Sequence, residues 1–142
     1  MIVVTPQQIG AVMGLEPAPR SFAELDKLVA CGLPSAALKA LVERISRRPG
    51  ECSELLHRVV PRSTFARRDT HLSPKESEKT ERLARAYATA LHVWASDDDA
   101  RAFMHAPHPM LCDSAPVDVA MTELGARRVE ELLWSMFYGV PA

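Results

Sequence analysis

Much of what would mark an enzyme, a secreted domain or a membrane protein is missing from this chain of 142 residues. There is no run of eighteen apolar residues, and a membrane-crossing helix needs about 20 in succession, so no transmembrane helix is expected. The start, Met1-Ile-Val-Val-Thr-Pro6, has neither the charged leader nor the long apolar core of a signal peptide. The three cysteines, Cys31, Cys52 and Cys112, form no CxxC pair. So sparse and odd a set predicts reduced thiols and a cytoplasmic location. Strand signals are nearly absent: Ile2-Val3-Val4 and Val59-Val60 are the only β-branched runs, both too short to build a sheet. There is no internal repeat and no low-complexity tract. No Gly-x-Ser-x-Gly elbow, phosphate-cradling glycine loop or His-Glu-x-x-His occurs either. No enzyme, no catalytic residue and no cofactor are expected.

What is present suits a globular chain. Hydrophobic residues make up 47% and charged residues 25%, enough apolar material for a core. The length fits one domain or two small modules. The net charge of -1 conceals an asymmetry, since residues 1–72 carry ten Lys/Arg against seven Asp/Glu, and residues 73–142 carry seven against eleven. Within 44–68, seven arginines (Arg44, Arg47, Arg48, Arg58, Arg62, Arg67, Arg68) meet only Glu51 and Glu54. Arginine concentrated over about two helices points to an anionic partner, with a solvated charged face as the alternative.

Helical periodicity recurs throughout. A short helix is predicted over Gln7 to Met13, followed by a loose arm broken by Pro17 and Pro19. Ser21-Phe-Ala-Glu24 has capping-box form and opens a helix to Gly32. A helix from Pro34 to about Arg47 puts Leu38, Leu41, Val42 and Ile45 on one face, and Pro49-Gly50 ends it. Glu51 to Val59 follows, with Leu55, Leu56 and Val59 inward. Then comes Arg62 to Arg68 behind Pro61, anchored by Phe65. Ser73-Pro-Lys-Glu76 is the strongest start signal in the chain, and the helix behind it turns Leu83, Ala84, Tyr87, Ala88, Leu91 and Trp94 inward. Ser96 caps the next helix, with Asp97, Asp98 and Asp99 in its first turn and Phe103 and Met104 in the core. Pro116 to Met121 should form a helix of about two turns. Gly125 separates it from a last helix striped by Val129, Leu132, Leu133, Met136 and Phe137. An all-α chain of about eight helices is expected, with a seam near 69–73 where the charge changes sign.

The helices at 34–47, 51–59 and 61–68 suit a helix-turn-helix arrangement. Its third helix would turn Ser63, Thr64, Arg67 and Arg68 to the groove, while Arg58 and Arg62 would hold phosphates. A helical bundle with a basic face and no DNA is the alternative. His105, His108, Cys112 and Asp113 superficially resemble a metal cluster, but they lie in a proline-broken loop without a matching second pair, and no metal is expected. His57 and His92 read as structural histidines. Arg127 and Arg128 are expected to pair locally with Glu130 and Glu131, with acids on a partner as the alternative. The last nine positions crowd Trp134, Met136, Phe137, Tyr138 and Val140 together with no polar tail. Chain ends are usually polar and frayed, so this one reads as an end that docks, or else as a core helix with a Gly139 stop.

A family resemblance rests on the C-terminal half. Leu72-Ser-Pro-Lys-Glu-Ser77, Arg82-Leu-Ala-Arg85, the Asp-rich helix start and Phe103-Met-His-Ala-Pro-His-Pro-Met-Leu111 form its first part. Pro116-Val-Asp-Val-Ala120, Thr122-Glu-Leu-Gly-Ala-Arg-Arg-Val-Glu-Glu-Leu-Leu133 and Tyr138-Gly-Val140 complete it. Together they resemble the toxin-binding domain of the Xre/MbcA/ParS antitoxins. Residues 33–71 resemble the Xre-like helix-turn-helix that precedes that domain. Where relatives place Thr or Ser before the proline, this chain has Ala115; losing the cap costs about 1 kcal/mol, which Ser114 can offset by capping one residue earlier.

The resemblance implies an N-terminal helical region over 1–71, with the helix-turn-helix at about 33–71, and a toxin-binding and dimerisation domain over 72–142. It implies a cytoplasmic homodimer that represses its own operon through operator DNA and neutralises a cognate toxin, usually an NAD-attacking RES-domain protein. The implied inhibition is steric, with Trp134, Tyr138, Gly139, Val140, Pro141 and Ala142 at the toxin's active-site cleft. A stand-alone repressor without a toxin is the main rival, and a pure interaction module the second.

Overall fold

Five of the helix starts in this chain are set by short polar side chains that take up the free N–H groups of a first turn. The computed structural model describes residues 4–67 and 70–139. Among them Thr5, Ser21, Ser73, Ser96 and Thr122 each accept a backbone N–H three residues on. Nine α-helices result among the described residues: α1 (Pro6–Val12), α2 (Phe22–Cys31), α3 (Ser35–Ile45), α4 (Pro49–Val59), α5 (Arg62–Arg67), α6 (Pro74–Trp94), α7 (Asp97–His105), α8 (Pro116–Val119) and α9 (Glu123–Tyr138). A 3-10 turn, Pro109–Leu111, lies between α7 and α8. Strand-like pairing among the described residues is confined to two isolated bridges. The fold is all-α.

α6 organises the molecule. It packs against α1, α2, α3 and α4 as well as α7 and α9, and its small residues Ala84, Ala86 and Ala90 are fully buried, which lets neighbours approach closely. Tyr87 is buried at its centre and donates to Asp97 Oδ1 at 2.8 Å. Burial would push the Asp97 carboxyl up, but hydrogen bonds from Tyr87 and Arg44 outweigh it and hold the group below its ordinary range. The Asp-rich start of α7 is thus more than a cap: Asp97 ties α3 to α6 and α7. A continuous apolar cluster runs from Val4 and Ile9 through Leu38, Leu41 and Ile45 to Met104, Val129 and Leu133. Residues 33–35 and 70–72 are clamped together by Ser35 N to Thr70 O and Leu72 N to Leu33 O, both 2.8 Å. Gly32 permits this clamp, with φ at +101° and a Cβ position that would strike the Leu72 carbonyl.

Several local expectations are corrected. Pro49 does not end a helix; it opens α4 at the first position, where its missing N–H costs nothing. Gly125 does not separate two helices but sits inside the first turn of α9, where the chain passes so close to Val119 that a side chain has no room. α8 is a single turn with no side-chain cap on Ala115, Ser114 included. Phe65 is only half-buried, because a two-residue link from α4 leaves it the His57 ring (6.1 Å) and Lys39 Nζ (5.6 Å) to lie against. Trp94, Met136 and Phe137 are exposed, since α6 and α9 run side by side in the same direction and their last turns reach past the core.

Candidate functional site

The basic region is built on α3 and α4. Ile45 ends α3, Ser46, Arg47 and Arg48 make a three-residue turn, and Pro49 starts α4. Glu51 holds this turn: its carboxylate accepts from Arg47 N at 2.7 Å and from Arg47 Nη2 at 2.7 Å. The hydrogen bond from Arg47 keeps the Glu51 carboxyl at about 2, well below its ordinary 4.5. A carboxyl that is more acidic folded than unfolded contributes stability above its ordinary value and loses it as pH falls towards the folded one. Glu51→Gln is therefore expected to cost about 1–2 kcal/mol near neutral pH and to flatten stability loss between pH 4.5 and about 2. Urea denaturation at stepped pH measures both.

Of the residues expected to meet DNA, Arg58 lies near the end of α4 and pairs with Asp118 of α8 at 2.6 Å. Arg62, Ser63 and Arg67 are exposed on α5 and Thr64 is half-buried. Arg62 Nη2 reaches Ser53 Oγ of α4 at 3.4 Å, so α4 and α5 share one surface. Arg68 lies outside the described residues. Ser53 and Glu54, which carry no motif in the sequence, and His57, expected to be structural, line the outer side of α4. The three-residue link Ser46 to Arg48, followed by a proline suited to the first position of a helix, is the signal in the sequence that points to them.

The C-terminal end forms a second surface. Trp134 is buried, while Tyr138 is 46% exposed beside Phe137 (43%) and Met136 (38%). The rings pack tilted and edge to face: the His92 and Phe137 centroids lie 5.2 Å apart at 49°, and those of Phe137 and Tyr138 5.1 Å apart at 87°. Gly139 closes α9 in the left-handed conformation, with φ at +66°. Val140, Pro141 and Ala142 lie outside the described residues. Trp134 thus supports the surface from beneath, and Met136 and Phe137 present its apolar face.

Behind this end, charge binds α9 to α6. Arg85 Nε meets Glu130 Oε1 at 3.1 Å, its Nη1 meets Glu81 Oε1 at 3.1 Å, and Arg82 Nε meets Glu123 Oε2 at 2.9 Å. Glu130 is therefore taken by Arg85 across the interface, which overturns its local pairing; neither Arg127 nor Arg128 forms an ion pair among the described residues. His105 Nε2 contacts Ile45 O at 2.9 Å, and His108 Nδ1 accepts from Met110 N at 3.1 Å. Among the described residues no group of three or more His, Cys, Asp or Glu is placed to hold a metal. Nor is any helix among them long and apolar enough to cross a membrane.

Comparison with known families matches both surfaces. The family model of the antitoxin Xre-like helix-turn-helix domain matches residues 24–85. That of the antitoxin Xre/MbcA/ParS C-terminal toxin-binding domain matches residues 89–139. The two matches meet within α6, the helix common to both packing groups. No curated protein matches the chain. With these two matches following one another along its length, the chain belongs to the Xre/MbcA/ParS antitoxin family.

Proposed function

We propose that this antitoxin neutralises its toxin sterically, by placing the end of α9 and the residues after it at the active-site cleft of a RES-domain enzyme that attacks NAD. The exposed Met136–Phe137–Tyr138 end carries this reading, because three large apolar side chains at a helix terminus gain little from water and much from a partner's pocket. Trp134, Tyr138, Gly139, Val140, Pro141 and Ala142 make up the blocking segment. Residues 72–142 serve toxin binding and homodimerisation, and residues 1–71 carry DNA binding. The same chain binds operator DNA as a dimer through Arg58, Arg62, Ser63, Thr64, Arg67 and Arg68, and so represses its own operon. It acts in the cytoplasm and without chemistry of its own.

Deleting residues 139–142 is expected to reduce toxin neutralisation at least tenfold, about 1.4 kcal/mol of binding, while leaving dimerisation and DNA binding within about twofold. Co-expression rescue of growth, sedimentation and operator titration read the three properties. Unchanged rescue by the truncated chain would sink the blocking mechanism. A stable complex with the product of an adjacent gene, recovered from the native host, distinguishes the antitoxin from a repressor that acts alone.

A further inference from the structure

The helix pairs α3–α4 and α4–α5 differ in how firmly they are held. α3 and α4 each run eleven residues and bury their apolar faces in the common core through Leu38, Leu41, Val42 and Ile45 and through Leu55, Leu56 and Val59. α5 is six residues long and has none buried. A helix that reads base edges must hold its side chains in fixed register against the duplex, which a loosely seated single turn and a half does poorly. A three-residue turn between two well-packed helices is also the connection that the DNA-reading motif uses.

The outer side of α4 offers a reading face. Gly50, Ser53 and Glu54 are exposed and His57 half-buried, all opposite buried Leu55 and Val59. At 3.6 residues per turn these four positions fall within about 100° of one another. Arg47 and Arg48 flank the stripe at its start, and Arg62 reaches it from α5 at Ser53. His57 Nδ1 lies 3.1 Å from the Val60 carbonyl, which can only accept, so in the neutral ring the proton sits on Nδ1 and Nε2 is left as an acceptor. Glu54 is an acceptor as well. The only amino groups presented in the major groove are cytosine N4 and adenine N6.

We infer that α4 is the helix that enters the major groove, with Glu54 and His57 accepting from cytosine N4 or adenine N6, Ser53 beside them, and α5 bracing the backbone through Arg62 and Arg67. This rests on the DNA-binding reading above, moves base contact from Ser63 and Thr64 of α5 to α4, and names the bases that reading leaves open. Glu54 would also repel phosphate, so it adds discrimination while lowering affinity for random sequence.

The test compares the full-length chain with its Glu54→Gln, Glu54→Ala, Ser63→Ala and Arg67→Ala variants, each checked by circular dichroism for native helix content. Each is titrated by fluorescence anisotropy against the DNA upstream of its own gene, against every single-base substitution of the protected stretch, and against a scrambled duplex, at several salt concentrations. The expected result for Glu54→Ala is loss of a preference of about ten- to hundredfold for a C·G or A·T pair at one position per half-site, with equal or tighter binding to the scrambled duplex. Arg67→Ala is expected to weaken all sequences alike and to lower the salt slope by about one. A base profile untouched in both Glu54 variants but flattened in Ser63→Ala would overturn the assignment of α4 and leave DNA binding standing. If the unaltered chain prefers no sequence at any salt concentration, DNA reading itself fails, and with it this inference.

Discussion

Gly125→Ala is expected to destabilise the protein by about 3 kcal/mol or more. Inside a helix, glycine to alanine ordinarily gains up to about 1 kcal/mol, so the local preference and the packing oppose each other. Packing wins because of what stands in the way. A Cβ at position 125 would overlap the Val119 carbonyl oxygen and come within 2.7 Å of Thr122 Oγ1 and 2.9 Å of the Val119 carbonyl carbon. Two of those atoms are backbone, so no rotamer change relieves the overlap, and α8 and α9 must separate. Thr122 Oγ1 also accepts from Gly125 N and caps α9, so the cap is strained as well. Against a total stability of about 5–15 kcal/mol, a loss of this size lowers the melting temperature by roughly 10 °C. Gly50→Ala is the control: nothing lies within 4 Å of its Cβ position, and a gain of a few tenths to about 1 kcal/mol is expected. Urea denaturation of both variants measures the contrast; similar values for the two would refute the close approach.

Replacing Arg85 by leucine is expected to cost about 3 kcal/mol near pH 7.5 and clearly less near pH 5. Arg85 stands between Glu81, Glu123 and Glu130, with Nη2 3.7 Å from Glu123 Oε1 in addition to its two closer contacts. Burial already pushes the Glu81 and Glu130 carboxyls above their ordinary value, with Arg85 pulling the other way. Without the guanidinium both rise further. A carboxyl that holds its proton more tightly in the folded chain makes stability increase as pH falls from the folded value towards the unfolded one. The variant should therefore recover on mild acidification, more steeply than the unaltered chain. Adding Glu81→Gln and Glu130→Gln should restore much of the loss and remove that slope. A loss independent of pH would mean that packing of the arginine stem, rather than carboxylate compensation, joins α6 to α9.

These two sites mark different limits on what a sequence can convey. The start of α6 was legible because a capping box is local: Ser73 and Glu76 bond each other's backbone N–H three residues apart, and no distant partner is needed. The inward faces of α3 and α4 were legible for the same reason, since apolar spacing repeats with the helical turn. Glycine at 125 carries no such information, because its meaning lies in an approach to Val119 that appears only once α8 has folded back on α9. The stripe on α9 was right at Val129, Leu132 and Leu133 and failed at Met136 and Phe137, where periodicity continues but the neighbouring helix does not.

The candidate surfaces divide along the same line. The arginine concentration and the apolar chain end stand out in the sequence because composition alone carries them. Which arginines are already engaged does not: Arg58 with Asp118 and Arg85 with Glu130 are pairs 60 and 45 residues apart. The sequence by itself determined an all-α chain, the helix starts capped by Ser21, Ser73 and Ser96, and most of its core, since each depends on neighbours within about a turn of helix, and composition gave the sign of each half. Only the tertiary structure decided that Pro49 opens α4, that Trp134 is covered while Phe137 and Tyr138 are bare, and that α6 serves both halves. Each of those depends on which element lies alongside, and long-range packing leaves no periodic trace in the chain.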